Sequence, residues 1–555
     1  MSYKLRHGFF IITVLAYCIS NLHWIESTEW AFVLSEFINI SEYNIFYIEA
    51  LRDFSAINYV NLFLINIGLP LKIINFITYL LVFSISFYAI FYLSSYLLKN
   101  DLKYIIPLLL IFINLDNTHG YDPIYPNNYW IFGQLGNYLS ILVISLFFLK
   151  NYFASSCIAL LLAIIHPVWL VGTVAFVLTY YGINEKKYFK PVFLIFLSLI
   201  LLLLTIYIFK TYCLGFESFC NYYENANYYN DNTLDGHNKK IFIGGFWLFE
   251  LINYLRTDIL LLIILFIIKK NKFNSLFYTV LTFTSFLLLL KIYETIDYKL
   301  YILEVLNLKD YYIRAIPERF FNINTIILYV LAIGLSLNFF IKKNLNVFLF
   351  IFLFMLIYLF VSDNFQINAT NNLTNFLIIS SLFSFAILNF KKIQTKMISK
   401  LNQSLFFINN YFYYSFISIF IIIALVSISN NDYLKNTNQE LIDVINQDDQ
   451  NKTIFLGSYV DLKSFNPMLE TKVEQFIPNP EIKINEISVY CKMNNNSWYY
   501  WYENVNDCLS KKTNKEWRQI YEQFGNFYLI AIKDTLVNLE KIKSNNEYIL
   551  YKFNK

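Results

Sequence analysis

Residues 72–97, with the sequence KIINFITYLLVFSISFYAIFYLSSYL, decide the fold class of this chain. The stretch is predominantly apolar and carries a single charged residue, Lys72, at its beginning. A helix of about 20 such residues crosses the roughly 30 Å hydrocarbon core of a bilayer. It also satisfies its backbone hydrogen bonds internally, as lipid requires. The stretch therefore predicts a transmembrane helix.

Similar stretches recur along residues 1–430 and predict a polytopic α-helical domain whose main partner is the lipid bilayer. Of the 555 residues, 57% are hydrophobic and 15% are charged, against about 25% charged residues in ordinary soluble domains. We count about thirteen candidate spans, several of them shorter than a full crossing. They lie near 8–24, 72–97, 104–115, 138–149, 152–165, 167–182, 191–210, 246–268, 274–292, 323–341, 345–362, 372–390 and 411–429.

Lysine clusters predict the orientation of these helices, because the cytoplasmic loops of membrane proteins are enriched in Lys and Arg. An N-terminus in the cytoplasm, followed by an uncleaved first helix, places every dense basic cluster on the cytoplasmic side. The loops 25–70, 116–137, 211–245 and 293–322 are then exterior. An odd number of crossings also places residues 431–555 outside an inner (plasma) membrane. The net charge of +4 is small and scattered, so no nucleic-acid partner is predicted.

The segment 431–555 is predicted to be an extracytoplasmic α/β domain. Residues 438–446 have a helical pattern, whereas 453–457, 527–532 and 548–553 have the apolar pattern of buried strands. The segment lacks a Gly-rich phosphate loop and paired metal-ligand spacing. We therefore expect an accessory role for it.

Helix caps predict further boundaries within this domain. Thr513 and Glu516 have the spacing of a capping box that opens a helix. Gly525 is expected to end that helix, and Asp534 is expected to cap another.

Four cysteines form two closely spaced pairs in predicted exterior segments, Cys213 with Cys220 and Cys491 with Cys508. An oxidising compartment favours disulfides, and the second pair would close a loop worth about 3 kcal/mol. Free thiols are the alternative, because spacing alone does not establish disulfide geometry.

Glu26 and Glu29 follow the first predicted span and stand beside Trp24 and Trp30. Carboxylates at the lipid interface are suited to accept a proton from an acceptor hydroxyl or to hold a divalent cation. The alternative is a solvated acidic loop whose Trp residues anchor at the headgroups.

Two histidines are further candidates. His119 and Asp122 lie three residues apart in a turn-rich exterior loop and are candidates for metal or substrate contact, with an ordinary turn as the alternative. His166 precedes Pro167 inside a long apolar stretch, where ionisable residues are usually functional. The proline predicts a break in the helix at that point, and a structural histidine is the alternative.

Arg314 and Arg319 flank Pro317 on the side opposite the basic clusters. Their guanidinium groups are suited to bidentate phosphate binding, which predicts contact with a lipid-linked phosphate. A local ion pair with Glu318 or Asp310 is the alternative.

Three short motifs carry a resemblance to a known superfamily. Residues 132–137 (FGQLGN), then 163–167 (AIIHP), then Arg314-x-x-Pro317-x-Arg319 resemble bacterial GT-C-like membrane proteins of undefined activity. With the inside N-terminus, the acidic first exterior loop, the about thirteen helices and the exterior C-terminal domain, the chain resembles the GT-C superfamily of polyprenyl-phosphate-dependent glycosyltransferases. A first-loop acidic residue, typically Asp, serves there as base or metal ligand, which by position implies Glu26 or Glu29 here.

The resemblance implies transfer of a sugar from a polyprenyl-phosphate donor to an extracytoplasmic acceptor in envelope glycan or glycoconjugate synthesis. It implies Arg314 and Arg319, with Glu318 and His166 nearby, as substrate-binding residues, and His119 and Asp122 as assisting or metal-binding residues. A transporter or flippase of lipid-linked saccharides is one alternative, although the halves of the chain show no duplication. A non-catalytic membrane scaffold is the other.

Overall fold

The computed structural model describes a helical bundle and most of a C-terminal sheet domain. The described residues are 3–35, 55–97, 102–112, 132–184, 274–296, 320–342, 431–435, 438–447, 453–456, 474–476, 513–533 and 537–553, together with single positions between 302 and 428. Five of the predicted spans, at 191–210, 246–268, 345–362, 372–390 and most of 411–429, lie outside these residues.

The described helices agree in position with the remaining predicted spans, with shifted ends. The first begins and ends about five residues earlier than predicted, and the described part of the predicted loop 25–70 contains two helices. In chain order the helices are α1 (Tyr3–Ser20), α2 (Glu26–Leu34), α3 (Ala56–Asn66), α4 (Leu71–Leu97), α5 (Leu102–Phe112), α6 (Phe132–Phe148), α7 (Tyr152–Ile165), α8 (Pro167–Asn184), α9 (Asn274–Ile296), α10 (Phe321–Lys342), α11 (Asp432–Lys435), α12 (Gln439–Asn446) and α13 (Asn514–Phe524).

Helices α4 and α6 form the centre of the bundle and run parallel to each other. The Ser145 hydroxyl of α6 donates to the Ala89 carbonyl of α4 at 3.5 Å. Further along both helices, the rings of Phe148 and Tyr96 stack with their centroids 5.0 Å apart. From the first contact to the second, the residue number rises on both helices, so the two helices run in parallel. Helix α7 packs on another side of α6, where Ser155 donates to the Val143 carbonyl at 2.9 Å.

The bundle buries amides and hydroxyls while large apolar side chains face outward. Asn75 and Gln134 are completely buried. By contrast, Leu81 is 50% exposed and Phe153 is 80% exposed. Exposed apolar side chains of this kind are compatible with a lipid-facing surface, which carries them at no cost.

Among the described helices, α4 is the one whose length and apolar composition suffice to cross a membrane. Shorter apolar stretches lie within seven other described helices: His7–Ser20, Ala56–Asn66, Gly133–Phe148, Tyr152–Ile165, Pro167–Ile183, Ser275–Leu290 and Phe321–Leu331. The count of about thirteen crossings stays a prediction.

The C-terminal residues build a five-stranded mixed sheet in the order β2-β1-β3-β5-β4. Its strands are β1 (Thr453–Leu456), β2 (Glu474–Phe476), β3 (Phe527–Ile532), β4 (Glu540–Ser544) and β5 (Tyr548–Phe553). Strand β1 pairs in parallel with β2 and β3, whereas β5 is antiparallel to β3 and β4. Trp517 of α13 is 1% exposed and packs against Phe527, with ring centroids 5.9 Å apart.

The capping-box prediction is confirmed. Thr513 accepts from the Glu516 backbone N–H, and the Glu516 carboxylate accepts from the Thr513 backbone N–H. Gly525 ends the helix with a φ of 74°, a conformation that favours glycine. The prediction of a helix after Asp534 is wrong from residue 537 onward. There the chain bends and enters β4, an edge strand that pairs with β5.

Candidate functional site

Glu26 and Glu29 form the first turn of α2, six residues beyond the end of α1. Glu26 is 2% exposed and Glu29 is fully buried, so the solvated-loop alternative is wrong for these two residues. Carboxylates in the first turn interact favourably with the helix dipole, which offsets part of the cost of burial. A buried carboxylate is nevertheless expensive, and such groups concentrate at functional sites.

Asn75 of α4 holds the segment that leads into these carboxylates. Its side-chain oxygen accepts from the Ile25 backbone N–H at 3.2 Å and from the Thr28 hydroxyl at 3.0 Å. Its side-chain nitrogen donates to the His23 carbonyl at 2.8 Å. One buried amide therefore fixes the chain on both sides of Glu26.

A second chain of hydrogen bonds ties α2 to α3 and α4. Ser27 donates to the Asn58 side-chain oxygen at 3.1 Å and accepts from the Asn61 amide at 3.0 Å. Thr78 in turn donates to the Asn61 side-chain oxygen at 2.8 Å. All four side chains are buried, and satisfied networks of this kind rigidify the groups that they connect.

The start of the C-terminal segment closes over the same region. The Asn431 amide donates to the carbonyls of Ser20 and Leu22, at 3.1 and 2.8 Å. The ring of Tyr433 lies edge-on to Trp24 with centroids 5.2 Å apart, and the Asn75 amide donates to its hydroxyl at 3.4 Å. Residues 431–433 therefore lie on the same side of the bundle as Glu26.

The helix break predicted at His166 is confirmed, since α7 ends before His166 and Pro167 begins α8. The turn lies against Gly136 of α6. A Cβ on that glycine would lie 2.1 Å from Cδ1 of Trp169 and 2.9 Å from Cγ of His166. The first two motifs of the superfamily resemblance are thus in direct contact, and a glycine is required where they meet.

Phe320, the residue that follows the third motif in sequence, lies beside the same contact. Phe320, which follows Arg319 in sequence, packs against Trp169 with ring centroids 6.0 Å apart. A Cβ on Gly172 would lie 2.4 Å from Cδ1 of the Phe320 ring. The Trp169 indole therefore joins the His166 turn to the beginning of α10.

Several predicted site residues lie outside the described residues and stay predictions. They are His119, Asp122, Arg314, Glu318, Arg319, Cys213, Cys220, Cys491 and Cys508. The two cysteines that the structure describes, Cys18 and Cys157, are free. The described part of the chain contains no group of three or more His, Cys, Asp or Glu side chains placed to hold a metal ion.

Three buried amides of the bundle were missed by the sequence reasoning. Asn75, Gln134 and Asn137 each sit within an apolar helix, and polar residues inside membrane-type helices usually face other helices. That signal was available in the sequence, but the high Asn content of the chain obscured it.

Comparison with known proteins adds no assignment to this site. No protein-family model matches the chain. No curated protein matches it either.

Proposed function

We propose that this protein is a membrane glycosyltransferase that moves a sugar from a polyprenyl-phosphate donor to an extracytoplasmic acceptor. The observation that carries the proposal is the burial of Glu26 and Glu29 in one helical turn, directly after the first helix. Burial of two carboxylates opposes folding unless the groups are compensated. A catalytic site that needs a positioned proton acceptor would explain why two carboxylates are buried here despite that cost.

In the proposed reaction, the Glu29 carboxylate accepts the proton of the acceptor hydroxyl as the hydroxyl oxygen attacks the anomeric carbon of the donor. The bond from that carbon to the phosphate oxygen breaks, and the polyprenyl phosphate leaves with the bonding electron pair. A single displacement of this kind inverts the anomeric configuration. Glu26 is the alternative base, because it occupies the same turn.

The remaining roles follow from side-chain chemistry. Arg314 and Arg319 hold the phosphate of the donor through charge-assisted hydrogen bonds. His119 and Asp122 assist the transfer or bind a divalent cation, and His166 borders the donor site. The contact of Phe320 with Trp169 supports this arrangement, since Phe320 directly follows Arg319 in sequence and Trp169 lies beside His166.

The test is sugar transfer in membrane vesicles that contain the full-length protein, with radiolabelled polyprenyl-phosphate hexoses as donors. Glu29→Gln keeps the shape of the side chain and removes the base, so we expect transfer to fall by about 10²-fold or more. Arg319→Ala is expected to weaken donor use. Glu522→Gln, at an exposed position on α13, is the matched control and should transfer at the wild-type rate. Wild-type transfer by both Glu29→Gln and Arg319→Ala would refute the assignments.

A further inference from the structure

Gln134 and Asn137 are buried amides on the first two turns of α6 whose hydrogen-bonding capacity is not used. Gln134 is 0% exposed and Asn137 is 1% exposed. Among the described residues, neither amide atom of Gln134 has a hydrogen-bond partner, and nor does the side-chain oxygen of Asn137. Buried polar groups are nearly always hydrogen-bonded. The exceptions here lie three residues apart and therefore on adjacent positions of one helix surface.

Gln134 lies on the face of α6 that carries Ser145, the residue that donates to α4. Gln134 precedes Ser145 by eleven residues, and Thr78 precedes Ala89 by the same number on the parallel helix α4. Eleven residues are about three turns and about 16 Å of rise. Gln134 therefore lies three turns before Ser145 on the same face of α6, and Thr78 lies three turns before Ala89 on α4. Thr78 belongs to the network that connects α4, α3 and α2.

We propose that Gln134 and Asn137 form a subsite that binds the hydroxyl groups of a saccharide. The proposal rests on the proposed function in taking the donor sugar as the ligand. It assigns these two side chains to sugar recognition, apart from the carboxylates that carry out the transfer.

The chemistry of the amide favours a neutral, hydroxyl-rich ligand. A carboxamide offers donors and an acceptor side by side, and a sugar hydroxyl offers the same pair in return. A phosphate could accept from the amide N–H groups, but it would leave the amide oxygens unpaired and would meet no cation on α6, because residues 132–148 contain no charged side chain. A buried site that hydrogen-bonds a substrate hydroxyl also discriminates strongly against a ligand that lacks it.

The test compares two probes on the full-length protein in lipid nanodiscs, a polyprenyl-phosphate hexose and the same polyprenyl phosphate without sugar. Wild-type protein should bind the hexose-bearing lipid about tenfold more tightly than the sugar-free lipid. Gln134→Met keeps the length of the side chain and removes its hydrogen-bonding atoms, so this sugar-dependent gain should disappear while sugar-free binding is unchanged. Asn137→Leu should reduce the same gain. Ser145→Ala, on the same face of α6, is the matched control and should keep it.

Thermal unfolding of the ligand-free protein separates this role from a structural one. Because Gln134 loses no hydrogen bond on replacement, Gln134→Met should unfold at the wild-type temperature or above it. A lower unfolding temperature would show that the amide is already paired, and would overturn the inference. Equal binding of the two lipids by the wild type would overturn it as well, as would retention of the gain by Gln134→Met. Sugar-dependent binding without transfer would remove the proposed reaction and leave the subsite standing.

Discussion

Replacement of Asn75 by Leu tests the network that holds the carboxylate turn. The substitution deprives the Ile25 backbone N–H, the Thr28 hydroxyl and the His23 carbonyl of a buried partner. Each orphaned buried group costs about 1–3 kcal/mol. The lower figure applied to the three groups gives a loss of about 3 kcal/mol in the free energy of unfolding.

Ser86→Ala is the matched control for this substitution. Ser86 is also buried on α4, but its hydroxyl donates to the Val82 carbonyl of its own helix, so its removal leaves no unpaired donor. We expect a change below about 0.5 kcal/mol. Denaturant titration of both variants in one detergent, followed by tryptophan fluorescence, measures the difference. A loss at Asn75 no larger than that at Ser86 would refute the role of the amide.

Two further substitutions test packing and capping. Gly136→Ala should destabilise the protein by about 1–3 kcal/mol, because its Cβ would overlap Trp169. Gly182→Ala, where no atom lies within 4 Å of the added Cβ, should be neutral or stabilising. Denaturant titration of the two glycine variants compares their free energies of unfolding. Thr513→Ala should cost about 1 kcal/mol through loss of the capping box. Circular dichroism during thermal unfolding should show this, and Thr513→Ser should restore the wild-type value.

Local signals in the sequence predicted several of the described helices and three of the five strands. The apolar length of residues 72–97 is enough to predict α4. The spacing of Thr513 and Glu516 is enough to predict the start of α13. The break at His166 follows from the ring of Pro167. Each of these features is determined by neighbours within a few residues, which a sequence displays directly.

Contacts between distant residues explain what the sequence did not reveal. The first turn of α2 is held by Asn75, which lies 50 residues after Ile25 and 47 residues after Thr28, its hydrogen-bond partners. The fit of Trp169 against Gly136 depends on a helix hairpin whose packing a pattern of apolar residues does not specify. The sequence therefore identified candidate groups, and the structure supplied the side chains that surround them.

The side of the membrane on which the carboxylates lie is the most direct test of the account. Because Tyr433 contacts Trp24 and receives a hydrogen bond from Asn75, residues 431–433 report the side occupied by Glu26 and Glu29. Alkaline phosphatase and green fluorescent protein are to be fused in turn to the C-terminus of the full-length protein. An active phosphatase and a dark fluorescent fusion are the predicted result. A fluorescent fusion with an inactive phosphatase would place the carboxylates in the cytosol and contradict an exterior sugar-transfer site.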